Sequence, residues 1–221
     1  MKMRSAIVGV LAWTVGVQAV SAQTTSAPTG QLQYSYIEVG FAVGTPDEDY
    51  ASDGTTSVSI GDAAIFNFDG SFALNETVFF EAGIALQKQD ITVSVPGSAF
   101  YGDLDTNILY FGLGAHFPIQ ERVDLYGVVG FAKADQELSI AGVTESADDN
   151  GLALRFGLRA MASDASEFGL YYAKLDFDEA ETVDGVGGEI RFHTNSQFSL
   201  GLEAQVGSDF TTIGASARFG F

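Results

Sequence analysis

Polar and apolar residues alternate along most of the chain after residue 33, in stretches separated by turn residues. An alternation with a period of two is typical of β-strands that have one apolar face. It predicts ten strands, at 34–44, 57–74, 78–93, 104–117, 122–139, 150–162, 167–178, 184–193, 197–207 and 210–221. An eight-stranded arrangement is the alternative. The sequence therefore predicts an all-β fold.

The predicted connections alternate in length. Tight turns are expected at 75–77, 118–121, 163–166 and 194–196. The intervening loops begin long, at 45–56, 94–103 and 140–149, and shorten to 179–183 and 208–209. Short turns at one end and longer loops at the other are typical of transmembrane barrels, whose short turns face the periplasm.

The two faces of the predicted strands differ in charge. Through the middle of the strands one face carries no charge, whereas the other holds acidic, basic and amide side chains. The apolar face includes Ile37, Val39 and Phe41 on the first strand, Leu109, Phe111 and Leu113 on the fourth, and Tyr171, Ala173 and Leu175 on the seventh.

Alternation alone fits a soluble barrel with an apolar interior as well as a membrane barrel with an apolar exterior. Soluble surfaces usually carry many lysines, yet only Lys88, Lys133 and Lys174 follow residue 22. With the apolar face in lipid, no charge lies at membrane depth, where each charge would cost about 2–4 kcal/mol. This distribution favours a transmembrane, antiparallel, up-and-down β-barrel.

The polar face would then line the lumen, where buried charges require partners. The predicted ion-pair network comprises Glu38, Asp69, Glu81, Asp124, Arg155, Arg159, Lys174, Asp176, Glu189, Arg191, Glu203 and Arg218. We expect Glu203 opposite Arg191, and we expect closure of the barrel to bring Arg218 near Tyr36 and Glu38. The lumen is either plugged by ion pairs or a narrow, net-negative pathway that favours cations. The plug is favoured because ten-stranded barrels are near the small, filled end of the size range.

The start of the chain predicts export. Lys2 and Arg4 precede an apolar stretch, and Val20-Ser21-Ala22 offers small residues for cleavage, which is the plan of a secretory signal peptide. An uncleaved anchor is the alternative, but the apolar stretch is short for a membrane span. We expect a signal peptide at 1–22, a short periplasmic segment at 23–33 and the barrel at 34–221.

Acidic residues concentrate in the predicted long loops and the strand ends beside them. They are Asp47, Glu48, Asp49, Asp53, Glu145, Asp148, Asp149, Asp178, Glu179, Glu181 and Asp184. Solvation is the favoured explanation. A second hypothesis is that divalent cations bridge these carboxylates to anionic lipid head groups, because oxygen ligands suit Ca²⁺ and Mg²⁺.

Composition argues against several classes of function. The formal net charge of −19 opposes nucleic-acid binding, which needs a basic surface. The chain has no cysteine, and its two histidines, His116 and His193, are expected near the periplasmic turns, with His116 at the membrane interface. No catalytic, cofactor or metal motif is recognisable. We therefore expect neither an enzyme nor a protein with a cofactor.

The chain resembles the small porin-like outer-membrane β-barrel proteins of proteobacteria. The resemblance rests on Tyr34-Ser35-Tyr36-Ile37-Glu38-Val39-Gly40, on Asp69-Gly70-Ser71-Phe72-Ala73-Leu74-Asn75 with Val78-Phe79-Phe80, and on the terminal Arg218-Phe219-Gly220-Phe221. It implies a bacterial outer-membrane location, contact with lipid and lipopolysaccharide, and insertion by the barrel assembly machinery with periplasmic chaperones. Phe219 and Phe221 match the assembly signal of such proteins.

The sequence leaves two candidate functions. The leading hypothesis is a barrel with an ion-paired lumen and acidic extracellular loops, in a structural or surface-interaction role. The alternative is a passive, porin-like channel for small cationic solutes.

Overall fold

The computed structural model describes residues 32–47, 56–180, 182–208 and 210–221. These residues form a closed antiparallel barrel of ten strands, in which each strand pairs with its neighbours in sequence and β1 pairs with β10. The strands are β1 Tyr36–Pro46, β2 Ser57–Ala73, β3 Val78–Val95, β4 Ser98–Gln120, β5 Val123–Ile140, β6 Val143–Ser163, β7 Ser166–Phe177, β8 Val183–His193, β9 Phe198–Gly207 and β10 Phe210–Gly220. The predicted fold and strand count are confirmed. The predicted signal peptide lies outside the described residues.

No helix in these ranges is long and apolar enough to cross a membrane.

The outer surface of the barrel is a belt of exposed apolar side chains. Phe41, Phe111, Phe131 and Leu154 are all more than two-fifths exposed although they lie in the middle of strands. Buried and exposed residues alternate through the middle of the strands. Because exposed apolar area of this extent would be unfavourable in water, the belt is the face that contacts lipid, as the charge pattern predicted.

In β7 the residues that face the lumen are those that were predicted to face the lipid. Tyr171 and Leu175 point inward and are buried, whereas Phe168 and Leu170 point outward. The assignment of Tyr171, Ala173 and Leu175 to the lipid face was therefore wrong. The wrong assignment arose from Lys174, because a charge on one face of a strand predicts that this face lines the lumen. Lys174 in fact faces outward near the upper end of the strand, at the edge of the apolar belt.

The β3–β4 and β5–β6 hairpins are taller than predicted. Pairing continues up to Val95↔Ser98 and to Ile140↔Val143, so the expected loops at 94–103 and 140–149 are strands joined by two-residue turns. Gly97, Ala141 and Gly142 have positive φ angles of 84°, 52° and 82° in these turns. Above the membrane both faces of a strand meet water, so the alternation that identifies strands in the sequence disappears there.

Two predicted turns are also shorter than expected. β6 continues to Ser163 and β7 begins at Ser166, so the turn expected at 163–166 reduces to Asp164 and Ala165. β4 continues to Gln120 and β5 begins at Val123, so the turn expected at 118–121 reduces to Glu121 and Arg122. A register shift between Pro118 and Gln120 lets the strand continue past a proline, which has no backbone N–H to give to the sheet.

Apolar side chains close the inner face at the upper end of the barrel. A buried cluster there comprises Ala42, Ala63, Ile65, Ile91, Leu104 and Phe210, with Val58, Ile60, Val93, Leu138 and Ile140 packed against it. Buried Gln89 lies among these residues, as the cross-strand partner of Ala63 and Leu104.

Candidate functional site in the lumen

Small inward-facing residues make room for the long side chains of the lumen. A Cβ atom added at Gly114 would overlap the ring of Phe79, and one at Gly83 would overlap Asp69 and Tyr110. The interior is filled by large side chains packed over glycine, as expected for a small barrel.

A buried cluster of charges, here called the central ring, connects β8 to the closing strands β1 and β10. Arg191 donates to Glu38 at 2.9 Å, and the Arg218 Nε atom donates to the other Glu38 oxygen at 2.6 Å. Glu189 contacts Arg191 and lies 3.7 Å from Arg218. The Arg218 guanidinium also lies over the Tyr36 ring, 4.1 Å from its centroid. One carboxylate thus accepts from two arginines on different strands.

A second ion pair connects walls that are not neighbours. Arg155 on β6 donates to both carboxylate oxygens of Glu81 on β3, at 2.8 and 2.9 Å. The two side chains are 5% and 3% exposed. Because β4 and β5 separate the two strands in the sheet, this pair occupies the interior of the lumen.

The periplasmic end holds a third buried pair. Arg159 Nε donates to Glu167 at 2.6 Å, and the other Glu167 oxygen lies 3.3 Å from Nε2 of His193. Arg159 also donates to the backbone oxygen of Gln33 at 3.0 Å. The segment that precedes β1 is therefore bonded to the barrel wall.

Tyr34 fills the periplasmic mouth beside this pair. Its hydroxyl donates to Asp124 at 2.7 Å, and its ring stacks on His116 with the centroids 3.8 Å apart. Nδ1 of His116 lies 3.0 Å from the same Asp124 carboxylate, and Arg159 lies over the Tyr34 ring at 4.7 Å. Both histidines are at the periplasmic end as predicted, but His116 faces the lumen and not the membrane interface.

Beside the central ring, neutral donors surround the carboxylate of Asp69, the cross-strand partner of Glu38. Asp69 accepts from Tyr110 at 2.7 Å and from Asn67 at 2.9 Å. Glu203 faces inward and is partly exposed. Its cross-strand partner is Glu189, and Arg191 is opposite Gly201, so the expected placement of Glu203 opposite Arg191 was wrong.

The structure places most of the predicted network residues together. Those that face the lumen are Glu38, Asp69, Glu81, Asp124, Arg155, Arg159, Glu189, Arg191, Glu203 and Arg218. Lys174 and Asp176 do not belong to it, because they face outward and form an exposed pair at 3.3 Å. Their assignment to the lumen followed from the inverted phase of β7.

Sequence reasoning missed Glu167 for the same reason. Glu167 is 2% exposed and lies opposite Arg191 in the β7–β8 register. The signal was available in the sequence, because apolar Phe168 and Leu170 alternate with Glu167 and Gly169 and so indicate that Glu167 faces the lumen. With Glu167 included, seven of the described carboxylates share the lumen with four arginines.

No group of three or more metal-ligating side chains with the geometry for a metal ion occurs in the described ranges. Apart from Glu203, the lumenal carboxylates described above instead contact arginine, tyrosine, asparagine or histidine side chains.

A closed antiparallel barrel with an uncharged apolar belt and a charged interior defines an integral membrane β-barrel. The sequence matches the family described as "Outer membrane protein beta-barrel domain" over residues 7–219. The chain belongs to this family and is a bacterial outer-membrane protein. A comparison with curated proteins found no match to this chain.

Two solved structures, OprG and the NalP translocator domain, support the barrel fold. OprG from Pseudomonas aeruginosa is similar at 16% identity, with 87% of this chain and 99% of that chain covered and a TM-score of 0.50. The translocator domain of the autotransporter NalP from Neisseria meningitidis is similar at 6% identity, with 87% and 91% covered and a TM-score of 0.51. Ail of Yersinia pestis, solved in complex with the heparin analogue sucrose octasulfate, has 22% identity, 84% and 97% coverage and a TM-score of 0.44.

Proposed function

We propose that the protein is a closed outer-membrane barrel that acts through its extracellular surface and does not conduct solutes. The observation that carries this proposal is the burial of the central ring, in which Arg191, Arg218 and Glu38 are only 0–3% exposed. Their burial leaves little space beside them for water or solute.

The energetic argument concerns what an ion would have to displace. Removing one partner of a buried ion pair costs about 3–5 kcal/mol, because the other charge is left uncompensated. A passing cation would compete with arginines at the central ring and again at Glu81 with Arg155. Two successive barriers of this kind favour a plug over a pathway.

The extracellular side supports the surface role. The β3–β4 and β5–β6 hairpins continue as paired strands above the apolar belt, and their residues are exposed near the turns. Contact with lipid and lipopolysaccharide, cation bridging by the acidic upper residues, and insertion by the assembly machinery with periplasmic chaperones belong to the same proposal.

The alternative function is a passive channel for small cations. The excess of carboxylates over arginines in the lumen favours this selectivity if the lumen admits water. The barrel would then transport cations, and its extracellular hairpins would serve another purpose.

Solute flux tests the proposal. The protein purified from outer membranes is placed in liposomes, and swelling is followed in isotonic solutions of glycine and of a monosaccharide. We expect no swelling above that of empty liposomes. A general porin in the same liposomes is the positive control, and the double variant Glu81→Ala with Arg155→Ala, which removes one barrier and leaves the central ring intact, should also cause no swelling. Swelling of the wild-type liposomes that increases with protein content would contradict the proposal.

A further inference from the structure

The upper part of β6 has an open edge on the side away from β5. Pairing of β6 with β7 begins at Gly151↔Phe177, and Asn150 accepts one further bond from the backbone of Asp178. Residues 143–148 pair with β5 on one side, and no strand among the described residues pairs with them on the other. All six are exposed. This stretch is here called the β6 edge.

The turn geometry determines which backbone groups face outward from this edge. In a two-residue hairpin, the residues that flank the turn exchange both backbone hydrogen bonds. Ile140 and Val143 flank the turn here, so Val143, Glu145 and Ala147 direct their N–H and C=O groups to β5. Thr144, Ser146 and Asp148 therefore direct theirs to the open side, in line with the bond that Asn150 accepts there.

Side chains around the β6 edge are acidic and partly apolar. Residues 134–150 include five carboxylates and no lysine or arginine. Glu137 and Asp148 lie on the outward face, and Glu145 lies on the other face beside Val143, which is 64% exposed. Asp135 is paired with Lys133 at 2.6 Å, which leaves Glu137, Glu145, Asp148 and Asp149 outside any ion pair in the described part of the chain.

We propose that the β6 edge binds an extended, basic polypeptide segment of a partner protein by strand addition. The proposal rests on the proposed surface function and names its partner chemistry. Main-chain hydrogen bonds to Thr144, Ser146 and Asp148 supply affinity, as in known strand additions. Lysine or arginine side chains of the added strand reach Glu137 and Asp148, and alternate apolar side chains pack beside Val143.

A second copy of this chain does not fit the same edge. Two β6 edges placed side by side would bring Glu145 and Asp148 against their own counterparts. Like charges directly opposite one another destabilise a strand pair. The charge of the edge therefore disfavours self-pairing and favours a basic partner.

The probe is a capped seven-residue peptide of alternating lysine and valine with an N-terminal fluorophore. Binding is measured by fluorescence anisotropy to the full protein in zwitterionic nanodiscs, which lack the anionic lipid that would bind the peptide. Two control peptides are matched: one N-methylated on alternate amides, which cannot complete the ladder, and one with glutamate in place of lysine. We expect binding of the first peptide and a loss of affinity of at least about tenfold for each control.

Variants of the protein separate strand addition from charge attraction. Ser146→Pro removes an N–H that faces the open side and keeps the ladder to β5, and Ser146→Ala controls for the loss of the hydroxyl. Glu137→Gln with Asp148→Asn removes edge charge, and Glu76→Gln with Glu121→Gln removes two charges at periplasmic turns. We expect Ser146→Pro and the edge-charge variant to weaken binding at least about tenfold, and both controls to bind as the wild type does.

A disulfide trap gives a second readout, because the chain has no cysteine. Ser146→Cys should capture a peptide with one central cysteine, and Glu76→Cys should not. Equal binding to Ser146→Pro and the wild type, equal binding of the N-methylated peptide, or absence of binding would overturn the proposal. Absence of binding by a barrel that is silent in the flux assay would overturn the edge proposal alone, whereas swelling with intact peptide binding would overturn the closed lumen alone.

Discussion

Arg191 is the most fully buried cation of the lumen, and its environment explains how a charge can stay inside a barrel. It contacts Glu38 and Glu189 and also lies within 3.0 Å of the Ser216 hydroxyl and 3.3 Å of the Ser199 hydroxyl. Charge-assisted hydrogen bonds of this kind are the strong ones. Its removal leaves two carboxylates buried with less compensation.

Truncation of Arg191 tests this explanation. We expect Arg191→Ala to lower the free energy of unfolding by about 3–5 kcal/mol, because an uncompensated charge stays buried. The control is Lys174→Ala, which breaks an exposed pair with Asp176 and should cost about 0–1 kcal/mol. Urea unfolding in detergent measures both. Similar small effects in the two variants would indicate a wet lumen and not a plug.

Glycine packing gives a second prediction at this scale. Gly114→Ala places a Cβ atom against the Phe79 ring, and overpacking of this kind costs about 1–3 kcal/mol. Gly70 is the matched control, since a Cβ there would meet only Ile37, at 4.0 Å. We expect the urea midpoint to fall for Gly114→Ala and to stay nearly constant for Gly70→Ala. The reverse order would show that the lumen has spare volume.

At the scale of elements, β10 closes the barrel and carries the end of the chain. It pairs with β1 from Tyr36↔Gly220 to Pro46↔Phe210, and the Phe221 N–H donates to Ser35 at 3.0 Å. Phe219 and Phe221 are 43% and 51% exposed on the lipid side. The two rings therefore lie on the outer surface and contribute little to the lumen.

Deletion of Phe221 separates assembly from stability. We expect slower outer-membrane assembly in cells, because the terminal aromatic is the proposed recognition signal, and nearly unchanged refolding in detergent. Pulse-chase labelling with heat-modifiable mobility measures the first, and Phe221→Tyr, which keeps a terminal aromatic, is the control. Normal outer-membrane levels of the deletion variant would refute the assembly-signal hypothesis.

The sequence predicts a strand correctly wherever one face of that strand meets lipid and the other meets the lumen. The pattern breaks down at the upper ends, where Lys174 and Asp176 face outward above the apolar belt and imitate lumenal charges. The same loss of contrast hid the upper parts of β4 and β6, whose residues are exposed on both faces. Solvent on both sides removes the periodic signal while backbone pairing continues.

For the whole molecule, the closure of the barrel by β1 and β10 was predictable from the sequence. The ion pairs inside the lumen were predictable only in part. An antiparallel β1–β10 pair follows from the even strand count, and it brought Arg218 to Glu38 and Tyr36 as expected. Arg155 with Glu81 could not be predicted, because the pair crosses the lumen between strands that are not neighbours. Periodicity specifies which face a residue occupies but not which side chains meet across the interior.

The closed lumen is the central claim, and conductance in a planar bilayer tests it most directly. The protein purified from outer membranes is inserted under a salt gradient and checked for folding by heat-modifiable mobility. We predict a silent membrane for the wild type and for the Glu81→Ala with Arg155→Ala variant, whose central ring is intact, and discrete steps for a general porin measured as the positive control. Discrete, cation-selective steps from the wild type would mean that water and ions pass the central ring, and would contradict the closed lumen.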